Sequence, residues 1–196
     1  MKNNFLINGN PRESISPFDR GLSFGDGVFR TFLVKNGCPI NWDMHYEKLK
    51  LDGKIFKIKV PTKKDLLRDI KKLFIQDKTY IGKIIITRGI SDQGYYYSKN
   101  IKSTRIVLKI NYKKISRAFY LKGVKLKVCN TRITHNDFYG GVKHLNRIEN
   151  VIAKSELTPS VFDGLMLDRN GYINECVSSN IFARYGNVLI TPKQNN

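Results

Sequence analysis

Long apolar runs, paired cysteines and a secretion signal are all missing from this sequence. No stretch approaches the roughly 18 consecutive apolar residues that cross a bilayer, so no membrane association is expected. The apolar run near the start, Phe5–Ile7, is too short for a secretory signal. Cys38, Cys129 and Cys176 are far apart, which provides neither a disulfide framework nor the spacing of a metal site. These absences predict a cytoplasmic protein without a bound metal.

Acidic residues are also scarce. The chain has 35 Lys and Arg against 16 Asp and Glu, for a formal net charge of +19, and a large basic excess is typical of nucleic-acid-binding proteins. The lysines are nevertheless spread along the chain and form pairs, such as Lys63-Lys64, rather than a stripe. Together with abundant Asn and Ile, they indicate a drift towards AT-rich codons. We therefore expect no nucleic-acid partner. A basic nucleic-acid-binding module is the lowest-ranked alternative, and its binding would depend steeply on salt.

No nucleotide-binding signature is present either. Residues 20–27, Arg-Gly-Leu-Ser-Phe-Gly-Asp-Gly, are rich in glycine and are predicted to form a loop. They do not fit the G-x-G-x-x-G pattern, and no lysine of the Walker type follows them. His45 and His144 lack further ligands at metal-binding spacing.

Residues 1–112 are predicted to form a small N-terminal α/β domain. The predicted strands are 5–10, 28–34, 80–88 and 105–110. The predicted helices are 43–56 and 62–74, capped by Asp43 and Thr62. Asn36-Gly37 is typical of a hairpin turn. The long loop 89–104 carries three consecutive tyrosines, and loops of this length are often functional.

Residues 113–120 are polar, basic and weakly patterned, and we predict a linker there. Residues 121–196 are predicted to form an incomplete, mostly antiparallel second domain, with a strand at 124–128 and hairpin turns at 170–171 and 186–187. A helix is predicted at 144–157, and its buried side would carry Leu145, Ile148, Val151 and Ile152. The predicted fold class is therefore α/β (α+β), in two domains.

Two residues of the second domain have side chains suited to cofactor chemistry. Lys143 follows Gly140-Gly141 at the predicted start of a helix, and partial burial there would free its amine as a nucleophile that forms a Schiff base with an aldehyde. Glu175 lies in a predicted tight loop, where a carboxylate can hold a pyridine nitrogen protonated. Taken alone, each residue is as readily explained as a solvated surface side chain.

A series of short segments, in order over essentially the whole chain, matches the pattern of one enzyme family: Phe5-Leu6-Ile7-Asn8-Gly9, Asp19-Arg20, Phe24-Gly25-Asp26-Gly27, Arg88-Gly89, Gly94-Tyr95, Lys143-His144-Leu145-Asn146-Arg147 and Glu175-Cys176 with Asn180. Together these segments resemble the fold-type IV pyridoxal-phosphate enzymes, which include branched-chain and D-amino-acid aminotransferases, and within them the aminodeoxychorismate lyases. The Lys-His-Leu-Asn-Arg form of the segment that contains Lys143 favours the lyase branch.

The resemblance implies pyridoxal 5'-phosphate as the cofactor, held as an aldimine on Lys143, which would also be the catalytic base. Glu175 would bind the pyridine nitrogen, and Ser178 and Ser179 would lie beside the cofactor phosphate. Arg88, at a strand end, is a candidate to bind the substrate carboxylate. The implied reaction converts 4-amino-4-deoxychorismate to 4-aminobenzoate and pyruvate, in folate biosynthesis, and the implied assembly is a homodimer.

Two features depart from the family pattern. The family usually has a phosphate-binding arginine in a His-x-x-Arg-Leu pattern; here Lys48 keeps the charge but not the two-point fork, so weaker cofactor binding is expected. Family members also usually continue for about seventy residues after residues 188–191, through a phosphate-binding helix N-terminus, so the tail 191–196 is expected to mark a C-terminal truncation. Two alternatives to a lyase remain open: an aminotransferase of the same fold, and an inactive remnant without cofactor.

Overall fold

The computed structural model describes residues 4–11, 14–74, 78–134 and 136–193. The chain divides into two compact units. Unit 1 is Met1–Lys113 with Val142–Asn146, and unit 2 is Lys114–Gly141 with Arg147–Asn196. The single boundary predicted from the sequence did not include this return of five residues to unit 1. The last residues of the predicted truncated tail, 194–196, lie outside the described residues.

Unit 1 is built on a five-stranded antiparallel sheet with the spatial order β1-β5-β4-β2-β3. Its strands are β1 (Phe5–Ile7), β2 (Gly27–Lys35), β3 (Cys38–Pro39), β4 (Thr79–Thr87) and β5 (Thr104–Asn111). Asn36 and Gly37 connect β2 to β3 with φ values of 50° and 75°. Two left-handed residues in a two-residue connection define a type I′ turn, so the predicted hairpin is confirmed.

Three helices of unit 1 follow the predictions to different degrees: α1 (Arg20–Phe24), α2 (Trp42–Ile55) and α3 (Lys63–Leu73). Thr62 caps α3 as predicted, since its hydroxyl accepts the N–H of Asp65 at 3.1 Å. Asp43 does not cap α2; it lies within the first turn, after Asn41. α1 occupies part of the segment predicted to be a loop, because the Asp19 carboxylate accepts the N–H of Gly21 at 2.9 Å and starts a short helix.

The core of unit 1 lies on one face of the sheet. α2 packs on β2, and α3 packs on β1 and β5. Along β2 the side chains of Val28, Phe32 and Val34 are buried, whereas Thr31 and Leu33 are exposed on the other face. Burying an apolar side chain of this size contributes about 1.5–3 kcal/mol, which favours this face as the packed one. The opposite face of β2, which carries Phe29, Thr31 and Leu33, is more exposed.

Unit 2 is smaller in its core and has short elements. They are α4 (Arg117–Lys122), β6 (Leu126–Ile133), α5 (Ile148–Ser155), β7 (Asp163–Asp168), β8 (Ile173–Cys176), β9 (Ala183–Tyr185) and β10 (Val188–Ile190). β6 and β7 are parallel, whereas the pairs β7–β8 and β9–β10 are antiparallel hairpins. Both predicted hairpins are therefore present, and the mixed two-unit architecture agrees with the predicted fold class. The predicted linker at 113–120 contains the start of α4.

The helix predicted at 144–157 is shorter in the structure, and a different side of it is buried. α5 begins at Ile148, and Leu145 lies before it. Ile148, Val151 and Ile152 are exposed, whereas Ala153 is completely buried. The prediction of which side is buried is therefore wrong. The core of unit 2 consists of Cys129, Ala153, Met166 and Val177.

Within the described ranges, no helix is long and apolar enough to cross a membrane.

Candidate active site

Lys143 lies on a short segment that pairs with β2. The N–H of Phe29 donates to the carbonyl of Lys143 at 2.9 Å, and the N–H of Leu145 donates to the carbonyl of Gly27 at 3.0 Å. Facing residues of an antiparallel pair point to the same side, so Lys143 shares the more exposed face of the sheet with Phe29. The Lys143 ammonium lies 5.6 Å from the centre of the Phe29 ring.

The same pairing separates Lys143 from its neighbour. His144 forms an antiparallel bridge with Val28, on the core face, and its ring lies 5.9 Å from that of Phe56. Lys143 itself is exposed. The prediction that Lys143 starts a helix and is partly buried is therefore wrong, because α5 begins only at Ile148. A β-type pairing, rather than a helix terminus, fixes the backbone of the lysine.

A buried carboxylate lies next to this segment. Asp52, in α2, is completely buried, and its Oδ2 accepts Arg30 Nη2 at 2.5 Å and the backbone N–H of Lys143 at 3.3 Å. Its Oδ1 lies 3.2 Å from Lys48 Nζ as an ion pair, although the angle is not that of a hydrogen bond. Asp52 thus connects Lys48, the predicted phosphate ligand, to the backbone of Lys143.

Further cationic groups share this region of unit 1. Lys83 Nζ lies 4.8 Å from the centre of the Phe29 ring, which also contacts Lys143. Burial lowers the pKa of His45, and the charges of Arg30 and Lys143 lower it further. The lowered pKa favours the neutral form of His45, and the lysines and Arg30 carry the positive charge of this region. An anionic ligand would be favoured at such a surface.

Arg88, the predicted substrate ligand, is buried and engaged within unit 1. Its Nε and Nη2 donate to the two oxygens of Asp26 at 2.7 and 2.9 Å, and Nη2 and Nη1 donate to the carbonyls of Phe56 and Lys57 at 2.7 and 3.0 Å. The Tyr97 ring covers the guanidinium at 3.9 Å. These contacts hold the end of β4 against the end of α2. We therefore withdraw Arg88 as a substrate ligand, because it is buried and four of its five N–H donors already have partners.

The predicted functional loop, 89–104, is held by a second buried arginine. Arg20 donates to the carbonyls of Gly94, Tyr95 and Tyr96, and its Nε donates to Asp26 at 2.9 Å. Tyr95 and Tyr96 remain largely exposed. The loop is thus anchored by its backbone and presents the rings of Tyr95 and Tyr96 to solvent.

Glu175 lies at the end of β8 rather than in a loop, and its side chain is partly exposed. Its Oε1 lies 3.4 Å from Asn150 Nδ2 and 3.9 Å from Arg147 Nη1. Asn150 also donates to the carbonyl of Val177 at 3.0 Å, so α5 holds the chain on both sides of Cys176. Sequence reasoning missed Asn150.

Ser178 and Ser179 are bound to an acid. Both hydroxyls donate to Oδ2 of the buried Asp163, at 2.9 and 2.7 Å, and Oδ1 accepts the N–H of Gly164 at 2.9 Å. A carboxylate that holds both hydroxyl protons opposes the approach of a phosphate. The assignment of these two hydroxyls to the cofactor phosphate is therefore corrected: they hold Asp163.

Asp52 and Asp163 were both missed from the sequence, and only Asp163 had a signal there. Asp163 stands in the apolar stretch Val161-Phe162-Asp163-Gly164-Leu165, whereas Asp52 has lysines on both sides. Charged residues are rarely fully buried unless they are paired, so an acid in an apolar stretch indicates a specific partner. Within the part of the chain that the structure describes, no group of three or more His, Cys, Asp and Glu residues could hold a metal.

Comparisons with known proteins agree with this arrangement. The family model for amino-transferase class IV matches residues 27–196. Aminodeoxychorismate lyase from Vibrio harveyi is 29% identical over 189 residues, which cover 96% of this chain and 70% of that protein. Aminodeoxychorismate lyase from Bacillus subtilis is 31% identical over 185 residues, which cover 91% of this chain and 62% of that protein. The chain thus spans 62–70% of the length of these two relatives.

Solved structures give the same result. The 4-amino-4-deoxychorismate lyase from Pseudomonas aeruginosa superposes with a TM-score of 0.90 at 30% identity, over 97% of this chain and 71% of that one. The branched-chain amino acid aminotransferase from Escherichia coli shares the fold, with a TM-score of 0.83 at 20% identity, over 100% of this chain and 69% of that one. The chain therefore belongs to the class IV aminotransferase family, the fold-type IV enzymes.

Proposed function

We propose that this chain catalyses the aminodeoxychorismate lyase reaction, the conversion of 4-amino-4-deoxychorismate to 4-aminobenzoate and pyruvate. The observation that carries the proposal is the setting of Lys143: pairing with β2 fixes its backbone, and its amine is exposed beside the Phe29 ring. The proposal is supported by two relatives and one solved structure that carry the name of this lyase.

The chemistry of the available side chains fits pyridoxal 5'-phosphate, the cofactor of this family. The chain offers a primary amine in Lys143, a partly exposed carboxylate in Glu175 and a cation in Lys48. When bound, the cofactor supplies an electron-accepting ring that stabilises negative charge on a substrate carbon. We assign covalent attachment to Lys143, the pyridine nitrogen to Glu175 and the phosphate to Lys48.

In the proposed reaction Lys143 acts twice. Its amine would hold the cofactor before the substrate binds, and the same amine would then remove the proton from the substrate ring carbon that bears the amino group. Loss of the enolpyruvyl group makes the ring aromatic. Lys143 returns the proton to the departing group, which becomes pyruvate. The two products contain all the atoms of the substrate, so neither an oxidant nor water is consumed.

Glu175 and Lys48 would hold charges rather than move protons. Glu175 is kept in place by Asn150, and a fixed carboxylate favours a protonated pyridine nitrogen. Lys48 shares Asp52 with Arg30, so its ammonium is oriented but partly neutralised before an anion arrives. A single ammonium also lacks the two-point geometry of a guanidinium. We therefore expect cofactor binding that is weaker than an arginine at this position would give.

Trapping of the cofactor on Lys143 is the first test. We expect the chain with pyridoxal phosphate to show an absorption band that borohydride abolishes, leaving a reduced adduct on the peptide with Lys143. Lys143→Ala should lose this adduct. Lys83→Ala is the matched control, since this lysine contacts the same aromatic ring, and it should keep the adduct on Lys143. A folded chain without any adduct would overturn the cofactor assignment and favour an inactive remnant.

An aminotransferase is the second candidate. It is favoured by a putative branched-chain-amino-acid aminotransferase from Methanocaldococcus jannaschii, which is 28% identical over 183 residues, covering 91% of this chain and 62% of that protein. The two reactions differ in their second substrate. Formation of 4-aminobenzoate from 4-amino-4-deoxychorismate alone would support the lyase, whereas amino transfer to a 2-oxo acid without such lyase activity would support the aminotransferase.

We also propose a homodimer in the cytoplasm. Sedimentation velocity at micromolar concentration tests the assembly directly. A species with the mass of one chain over a hundredfold range of concentration would contradict it.

A further inference from the structure

The carboxylate of Asp52 is an unusual neighbour for a lysine at a reactive position. It is completely buried, yet it accepts a hydrogen bond from the backbone N–H of Lys143, 91 residues further along the chain. The segment around Lys143 is otherwise held to β2 by hydrogen bonds to Phe29 and Gly27. Asp52 therefore connects α2 to the segment around Lys143. Without this contact, only the pairing with β2 would hold that segment.

The same carboxylate supplies the negative charge that balances two neighbouring cations. Arg30 Nη2 lies at 2.5 Å and Lys48 Nζ at 3.2 Å. Two sets of ionisable groups lie near Lys143. Asp52 contacts its backbone N–H and pairs with Arg30 and Lys48. Lys83 contacts the same Phe29 ring as the Lys143 ammonium, and the charge of Lys143 lowers the pKa of His45. Among these groups Asp52 carries the negative charge. Its removal would leave the cations without that compensation.

We propose that Asp52 is a positioning residue for Lys143: its buried carboxylate fixes the backbone of the lysine, and the negative charge that it shares with Arg30 and Lys48 also stabilises the protonated Lys143 amine from beside that backbone. The inference rests on the proposed function in one respect, namely that Lys143 is the reactive amine. It extends that function, because the protonation of the amine is then set in part by α2 and not only by the strand that carries it.

The test is the pH dependence of Lys143 acetylation in the full chain without cofactor. Trace acetic anhydride labels only the neutral amine, and mass spectrometry of the peptide with Lys143 gives the pH at which half of the amine is neutral. In Asp52→Asn the ammonium loses a stabilising negative charge, so we expect this midpoint to fall by about 0.5–1 pH unit. In Arg30→Gln one repelling cation is removed, so the midpoint is expected to rise.

The two opposite shifts separate an electrostatic effect from a general loosening of unit 1, which would move both variants in the same direction. Asp69→Asn is the matched control. Asp69 is also a buried acid of unit 1 and pairs with Arg105 at 2.6 Å, away from Lys143. It should lose stability but keep the wild-type midpoint. If Asp52→Asn does not fold, Arg30→Gln alone decides the direction.

An unchanged midpoint in Asp52→Asn and Arg30→Gln would overturn the proposal. So would equal shifts in Asp52→Asn and Asp69→Asn. Because the labelling uses no cofactor, it is independent of trapping with pyridoxal phosphate. Failure of trapping with the expected midpoint shifts would refute the proposed function alone, and trapping without these shifts would refute the assignment of Asp52 alone.

Discussion

Arg88 binds Asp26 through two parallel hydrogen bonds, from Nε to Oδ2 at 2.7 Å and from Nη2 to Oδ1 at 2.9 Å. With the carbonyls of Phe56 and Lys57, four of its five N–H donors have partners inside unit 1. The Arg20 guanidinium also binds this Asp26 carboxylate, and it donates to the backbone of residues 89–104, called the tyrosine loop below. This network gives the Arg-Gly segment a structural function in place of the substrate contact predicted from the sequence.

Replacing Arg88 should therefore affect folding first. We expect Arg88→Lys to destabilise unit 1 by about 2–4 kcal/mol, because an ammonium cannot reproduce the paired hydrogen bonds to Asp26 and leaves buried acceptors unmatched. Urea unfolding followed by fluorescence measures the change. Arg68→Lys is the control, since Arg68 is exposed and pairs with its helix neighbour Asp65, and it should change stability by less than about 0.5 kcal/mol. Unaltered stability with a raised KM would restore the substrate assignment.

The hydroxyls of Ser178 and Ser179 should matter more for unit 2 than for the cofactor. Each donates to the buried Asp163, so Ser178→Ala and Ser179→Ala should each reduce the free energy of unfolding by about 1 kcal/mol. Asp163→Asn should reduce it more, since the acid accepts from both. The dissociation constant for pyridoxal phosphate, measured by absorption titration, should stay within about threefold in the serine variants. A tenfold or larger increase in this dissociation constant would instead support the original prediction that these hydroxyls bind the cofactor phosphate.

Acid should weaken unit 2 through Glu156. The hydroxyl of Thr131, followed by the N–H groups of Asn130 and Thr131, lowers the pKa of Glu156 to about 2 from 4.5. A lowered pKa in the folded state contributes stability above the unfolded pKa, and this contribution is lost as pH falls from 4.5 through about 2. In Glu156→Gln, the free energy of unfolding should therefore change less with pH in this window than it does in the wild type. Parallel curves for variant and wild type, with the exposed Glu47→Gln as reference, would disprove the assignment.

Two glycines of the tyrosine loop differ in what they tolerate. Gly89 has φ +112°, and a Cβ there would stand 2.0 Å from the carbonyl oxygen of Lys102. Gly94 has φ +57° and open space around it. Gly89→Ala should lose more than about 2 kcal/mol of stability, against about 1 kcal/mol for Gly94→Ala, which meets only the backbone strain. Equal losses of stability in the two variants, measured by thermal unfolding, would show that the backbone around Lys102 moves to accommodate the new Cβ.

The elements that the sequence predicts well are those whose signals are local. The turn at Asn36-Gly37 needs left-handed backbone at both residues, and the turn that contains Asn170-Gly171 needs it at Gly171; Asn and Gly supply this conformation at little strain. Thr62 completes its helix cap with an N–H only three residues away. Each of these features depends on neighbours in the sequence, so a pattern of a few residues is sufficient to predict it.

The setting of Lys143 is not local, and the prediction for it was wrong. Apolar spacing predicted one helix from His144, but residues 143–145 pair instead with Gly27–Phe29, which lie more than a hundred positions earlier. Helix propensity is a weak preference that such pairing overrides. The family resemblance identified the lysine itself. It could not reveal Asp52, because a buried acid and its partners are recognised only when distant segments meet.

The brief return of residues 142–146 to unit 1 makes the two units inseparable by a single cut. A fragment that ends at Lys113 would expose the bare edge of β2 and lack the lysine altogether, although it contains all five strands of its sheet. During synthesis, the first unit must likewise wait for thirty-three further residues, from 114 to 146, before its edge can be closed. Fragment complementation, with residues 114–193 supplied in trans, would have to restore that edge as well as the second unit.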